Sequence, residues 1–412
     1  MIKKMLGKKI KLAGDLVYTV SATVVMQVAL QLIIYPLINR FYGENVTGDI
    51  LYFIGIVYIF PQAVGTAINN TRLVTRKTMD SSNGDYAGIL ASMSAITAVV
   101  CFAISYVGNT GIIFSLLFAI FSVVYTIRMY AQVEFRLRLN FRGYFIYYAI
   151  TSVGYVIGFL LYMLTGIWLL IFFTGELIAI GYSIWKGDIF KKETAIGQAK
   201  HLYKTMSMIL LSTLVRDGIT QFDKVILRLL ISAESVTHYN ALSLVGKSVQ
   251  MLVNPVNTLI LSYLSAKEAK LSRKFFKKFL FCSLGVGIIM LVACQIATPI
   301  YIRLFYSSFY DEVMPYSLLV NSGLIMGFIS MLFTALILSQ GKTKTYTAIQ
   351  TVWGGCYMIP AYFLTQSYGI VGLASVTLVV NTVKLIVTVV ISGTILSQVD
   401  KQEKIKNLGV DE

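Results

Sequence analysis

The chain has 412 residues, of which 57% are hydrophobic and 13% charged, with a formal net charge of +16 and six prolines. Soluble domains carry about a quarter charged residues, so an ordinary water-soluble enzyme is excluded. Nor does the positive charge point to nucleic acid, because it follows the order of the loops.

In chain order, about twelve apolar stretches come near the roughly 20 residues that a membrane-spanning helix needs. They lie at 12–38, 49–70, 86–107, 110–130, 144–165, 166–185, 205–231, 239–262, 279–300, 313–339, 345–366 and 370–395. The first is too long for a cleavable signal and lacks a small-residue cleavage site, so it reads as the first helix. Most of the 35 lysines and arginines fall in alternate connections, at 1–11, 71–86, 128–143, 186–204, 265–278, 340–346 and 397–412. The other connections clearly hold only Arg40 and Arg303, against Glu44, Asp49, Glu234, Asp311 and Glu312. The positive-inside rule then places both termini in the cytoplasm. Cys101, Cys282, Cys294 and Cys356 all fall inside apolar spans and read as buried packing residues without metal-ligand spacing. His201 and His238 read as solvated loop residues beside span ends.

The connection around Lys186–Lys204 lies near the midpoint. The halves look weakly alike: Thr23, Gln31 and Val46-Thr47 recur as Thr213, Gln221 and Val236-Thr237. The expectation is an all-α integral membrane protein of about twelve transmembrane helices. They form two six-helix bundles, 1–200 and 201–396, around a central cavity, with a cytoplasmic tail at 397–412.

The span at 205–231 carries Arg216, Asp217, Asp223 and Lys224 near its middle and Arg228 near its end. A charge at the bilayer centre costs roughly 2.5–3.5 kcal/mol on insertion scales, so such a helix faces protein or a wet cavity. Asp217, Gln221, Lys224 and Arg228 follow one helix face. Gln27 and Gln31 form a polar row continued by Tyr35 and Asn39, and Lys247, Gln250, Asn254 and Asn257 form another. Lys384 and Asn381 mark the last span. Asp217 and Asp223 can either neutralise Arg216 and Lys224 or leave them for a ligand, and both readings stand. Lys247 and Lys384 have no acid within helical reach, which favours ligand contact. Glu176 can couple a proton, pair with a lysine, or sit neutral against Gly175 and Gly181. Gly154 and Gly158 read as close helix packing inside the chain rather than a dimer face. Phosphate loops, metal-binding motifs and nucleophile elbows are not found.

Several stretches carry a resemblance. They are Ile34-Tyr35-Pro36-Leu37-Ile38-Asn39-Arg40-Phe41-Tyr42-Gly43, Gln221-Phe222-Asp223-Lys224-Val225-Ile226-Leu227, Thr298-Pro299-Ile300-Tyr301-Ile302-Arg303-Leu304-Phe305-Tyr306 and Ser339-Gln340-Gly341-Lys342. With the length and span count, they resemble the Wzx-type polysaccharide flippases of the multidrug/oligosaccharidyl-lipid/polysaccharide (MOP) exporter superfamily. The resemblance implies a bacterial inner-membrane flippase for polyprenyl-diphosphate-linked oligosaccharide units of O-antigen or capsule, working by alternating access beside polymerase and chain-length partners. Arg216, Lys224, Lys247 and Lys384 would hold the diphosphate, and Gln27, Gln31, Gln250, Asn254 and Asn257 would meet sugar hydroxyls. Asp217, Asp223 or Glu176 would balance charge or bind a coupling ion, sodium or proton, with no cofactor and no nucleic acid involved. An ion-coupled multidrug exporter of the same superfamily is the alternative, but it calls for an acid-dominated cavity. A membrane polymerase or ligase ranks third, because the outside loops are short.

Overall fold

A bilayer offers no water to bind backbone N–H and C=O groups, so a chain this apolar satisfies them within helices. The computed structural model describes residues 2–76, 79–251, 273–340 and 342–407, and every regular element among them is helical. Helix α1 (Ile2–Val28) runs through one π turn, Ala29–Ile34, into α2 (Tyr35–Thr75). Pro36 explains that turn: it has no N–H to give the preceding turn, and a wider i→i+5 turn absorbs the mismatch. Gly43, at φ +83° and ψ 175°, breaks α2 where the sequence places an outside turn. Nothing lies within 4 Å of a Cβ built there, so glycine is required for its backbone angles, not for space.

Then follow α3 (Asn83–Val107), α4 (Ile112–Ala131), α5 (Val133–Leu137), α6 (Phe141–Thr165) and α7 (Leu169–Lys186). Ser82 and Asp85 form a reciprocal capping box at the start of α3, and Gly166 closes α6 in the left-handed conformation. The later helices are α8 (Ala199–Leu230), α9 (Ala233–Met251), α10 (Arg273–Phe305), α11 (Tyr310–Val313), α12 (Ser317–Ser339) and α13 (Thr343–Asn407). Gly369, at φ +57°, breaks α13 between the spans predicted at 345–366 and 370–395.

Among the described residues, eight helical stretches are long and apolar enough to cross a membrane. Their outward side chains include Leu164, Val107 and Ile113, which are 83%, 79% and 74% exposed. Apolar surface on this scale needs lipid around it, and the chain is a multi-pass membrane protein. Helices α8 and α9 are outside that set, because they carry the polar stripes.

The contacts divide the chain into two units, Met1–Val225 and Ile226–Glu412. In the first, α6 and α7 meet through glycines. A Cβ at Gly158 would fall against the carbonyl oxygens of Leu170 and Ile171, and one at Gly154 would lie 2.5 Å from the Gly175 Cα. Gly154 and Gly158 therefore serve close packing inside the chain, as expected. The segment after α7 is tied down by its backbone. Asn83 Nδ2 donates to the carbonyls of Asp188 and Lys191, Asp85 Oδ1 accepts from the N–H groups of Gly197 and Gln198, and Ile189 N–H donates to Glu134. In the second unit α12 is the central helix. Phe328, Ile329, Leu332 and Phe333 pack there with Cys294 and Leu385, and Asn381 Nδ2 donates to the Gly323 carbonyl at 2.9 Å.

Three expectations change. Cys101 and Cys294 are buried, but Cys282 and Cys356 are exposed on helix surfaces. His238 is no solvated loop residue: it is 5% exposed on α9, stacks on Phe309 at 4.3 Å, and lies 3.6 Å from Glu312. The row Gln27, Gln31, Tyr35, Asn39 is not continuous, because the π turn shifts the register; Tyr35 and Asn39 are buried while both glutamines stay half-buried.

Asp188 sits in the segment after α7, where Lys191 and then Arg138 hold its carboxyl below the usual carboxylate range. A lowered folded-state pKa stabilises above the unfolded value and is lost as pH falls through the folded one. Asp188→Asn is therefore expected to lower the thermal midpoint slightly at pH 7, with the gap to the parent narrowing as pH falls below the usual carboxylate range, as measured by unfolding in detergent. The effect stays small because the group is exposed and screened.

Candidate functional site

The first unit encloses a buried charge pair. Arg128 of α4 is 1% exposed and Glu176 of α7 is 0% exposed, with Nε and Oε2 2.9 Å apart. Neither atom has an aligned hydrogen bond, so the contact is ionic. Glu176 Oε1 accepts from the Tyr155 hydroxyl. The guanidinium lies over Tyr148 at 4.8 Å and Tyr147 at 5.5 Å, and among the described residues its remaining N–H groups reach only the sulfurs of Met129 and Met26. Thioether sulfur is a weak acceptor, so this cation is poorly satisfied for its burial. Desolvating two ions costs several kcal/mol each, and an apolar pair of similar volume is often as stable. Stability alone does not account for the pair.

Around it stands a cluster of tyrosines. Tyr58 of α2 bonds Tyr35 and lies within electrostatic reach of both Glu176 and Arg128. Tyr125 donates to Gln62 at 3.2 Å. Lys224 of α8 is 7% exposed, packs its stem on Gly55, and carries its ammonium 5.6 Å from the Tyr58 ring centre. Arg128, Glu176, Tyr58 and Lys224 thus form one polar centre contributed by α2, α4, α7 and α8.

On α8, Arg216 Nε meets Asp217 Oδ1 at 2.9 Å; the arginine is exposed and the aspartate buried, with Oδ2 unbonded among the described residues. Asp223 Oδ1 accepts from the backbone N–H of Lys224 at 2.9 Å. Gln27 and Gln31 are half-buried on α1 and the π turn. In the second unit, Lys247 lies 5.5 Å from the Tyr239 ring centre, and Gln250 Nε2 donates to the Leu324 carbonyl at 2.7 Å. Lys384 Nζ donates to Gln350 Oε1 at 3.1 Å. Asn254 and Asn257 lie outside the described residues.

Glu176 has thus found an arginine rather than a lysine, and Gly181, one of its expected neighbours, faces open space. Arg128 falls in the basic connection expected at 128–143, but α4 runs on to Ala131 and buries it. A signal for this exists in the sequence: five uncharged residues separate Arg128 from Glu134, so the loop begins later than the first charge.

No protein-family model matches the chain, and no curated protein matches it in sequence. Its fold is shared with solved structures of MOP-superfamily transporters. It is similar to an inward-facing multidrug-resistance MATE family transporter of that superfamily, with a TM-score of 0.70 at 10% identity, over 94% of this chain and 96% of the other. It is also similar to the lipid II flippase MurJ in an inward closed conformation, with a TM-score of 0.71 at 15% identity, over 96% and 94%. A third likeness is to a MOP transporter from Pyrococcus furiosus, whose reversed binding-pocket polarity suggests a different function, with a TM-score of 0.58 at 12% identity, over 94% and 95%. These structures are transporters and a flippase, not enzymes. Likeness at such identity defines the fold and leaves the cargo open.

Proposed function

We propose that this chain is a flippase that moves polyprenyl-diphosphate-linked oligosaccharide from the cytoplasmic to the outer leaflet of a bacterial inner membrane. Twelve spans in two bundles, 1–200 and 201–396, with both termini cytoplasmic, would rock about the head group by alternating access. A polymerase and a chain-length partner would take up the delivered units of O-antigen or capsule.

The observation that carries this reading is the surplus of bases on the helices. Arg128 and Arg216 each face a carboxylate, but Lys384 gives its bond to the neutral amide of Gln350. A diphosphate suits such cations: lysine binds its oxygens as a point charge and arginine as a planar fork. In this role Arg216, Lys224, Lys247 and Lys384 hold the diphosphate, and Gln27, Gln31, Gln250, Asn254 and Asn257 meet the sugars. Glu176 and Asp217 balance charge, Glu176 by offsetting Arg128, and Asp223 serves the same end or holds a coupling ion. The MATE likeness favours a second reading, ion-coupled export of drugs, but cationic drugs call for acids where this chain carries more bases.

Deleting the gene in its host is expected to trap intact lipid-linked repeat units on the inner leaflet and to remove surface glycan. Unchanged glycan with altered drug sensitivity would establish the exporter instead. In the same strain, Lys247→Gln with Lys384→Gln is expected to lower complementation. Charged hydrogen bonds are worth roughly 1.5–3 kcal/mol, which corresponds to about ten- to hundredfold for one of them. Full complementation by the double variant would overturn the cationic role.

A further inference from the structure

A groove of about 630 Å³ opens on the first unit, on residues that the buried polar centre does not use. It is lined by Ala87, Ala91 and Ala95 of α3, Val123 and Ile127 of α4, and Phe190 of the tied-down segment. The three alanines are exposed at successive turns, so the α3 face is shallow and apolar. Pockets of roughly 300–1,000 Å³ hold ligands of drug size, so this groove has room for one acyl chain rather than a whole lipid.

Two further observations narrow the occupant. Lys191 and Lys192 line the same groove; Lys191 pairs with Asp188, while Lys192 is exposed with no ion pair among the described residues. Glu193 is also there, but its carboxylate accepts from the Asn83 N–H at 2.7 Å. Nearby in the chain, Trp185 is 74% exposed with the Lys186 ammonium 3.6 Å from its ring centre, a pairing suited to the headgroup level. Bare hydrocarbon would leave Lys192 without an anion, and a free phosphate would leave the apolar lining unfilled.

We propose that this groove binds one anionic phospholipid of the surrounding bilayer. One acyl chain lies along α3 and α4, and the phosphate is held by Lys192 with Lys191. The lipid is a resident of the protein, separate from the cargo proposed above.

The test is lipid retention by the purified full chain, read by native mass spectrometry after exchange into phosphatidylglycerol or phosphatidylcholine. Phosphatidylglycerol is expected to be retained at least about threefold better. Ala91→Trp, at an exposed position, fills the groove and is expected to cut that retention about tenfold. Lys192→Gln is expected to remove the preference while leaving binding of both lipids. Equal retention of the two lipids by the parent chain, or unchanged retention in Ala91→Trp, would overturn the proposal. So would a dimer that Ala91→Trp dissociates, since a second copy would then be the occupant.

Discussion

Replacing Arg128 with methionine is expected to destabilise the protein by about 3–5 kcal/mol, because it strands Glu176 as an unpaired charge at 0% exposure. The nearest remaining partner is the Tyr155 hydroxyl, which hydrogen-bonds the carboxylate but cannot cancel its charge. The loss should appear as a lower midpoint in urea or thermal unfolding of the detergent-solubilised protein. The companion variant, Arg128→Met with Glu176→Leu, removes both ions and is expected to recover most of the loss, since apolar residues of similar volume often substitute without penalty. A double-mutant cycle over the four proteins isolates the coupling. Equal stability of the single and double variants would show that the two charges do not depend on each other.

The same pair separates fold from function. If it only holds helices together, the double variant should complement a deletion strain as well as the parent does. If the charge arrangement beside Tyr58 and Lys224 shapes the path of an anionic head group, the double variant should fold and still fail to complement.

Much of the helical frame was legible in the sequence, because a bilayer permits few alternatives to helices of about 20 residues. The breaks at Gly43 and Gly369 were legible as well, since the predicted spans stop on either side of each. The site was legible only in part. Composition and spacing marked Glu176 and Lys224 as costly intramembrane charges, but gave neither partner nor depth. Arg128 meets Glu176 across 48 residues of chain, and nothing local records which way either helix is turned. His238 was misplaced for the same reason, because Phe309 and Glu312 cover it from a distant segment. The π turn at Ala29–Ile34 has a local cause in Pro36, yet its effect on the Gln27–Asn39 row becomes visible only once the turn is counted.

Gly158→Leu is expected to be the most damaging single change in the α6–α7 pair, with a loss above about 3 kcal/mol. A Cβ at Gly158 meets the carbonyl oxygens of Leu170 and Ile171 and the Ile171 Cα, all backbone atoms that cannot rotate aside. Helix α7 must therefore move off α6. Overpacking alone costs about 1–3 kcal/mol, and the shift also draws Glu176 away from Tyr155 on α6 and Arg128 on α4. Gly181→Ala, on the same α7, is the control. Its Cβ would meet nothing within 4 Å and its backbone is already helical, so this change is expected to stabilise by about 0.4–1 kcal/mol. The contrast between the two glycines is read by unfolding midpoints and by complementation side by side. Were Gly158→Leu to unfold at the parent's midpoint, the close approach of α6 and α7 would not be what positions Glu176, and the buried pair would need support from α4 alone.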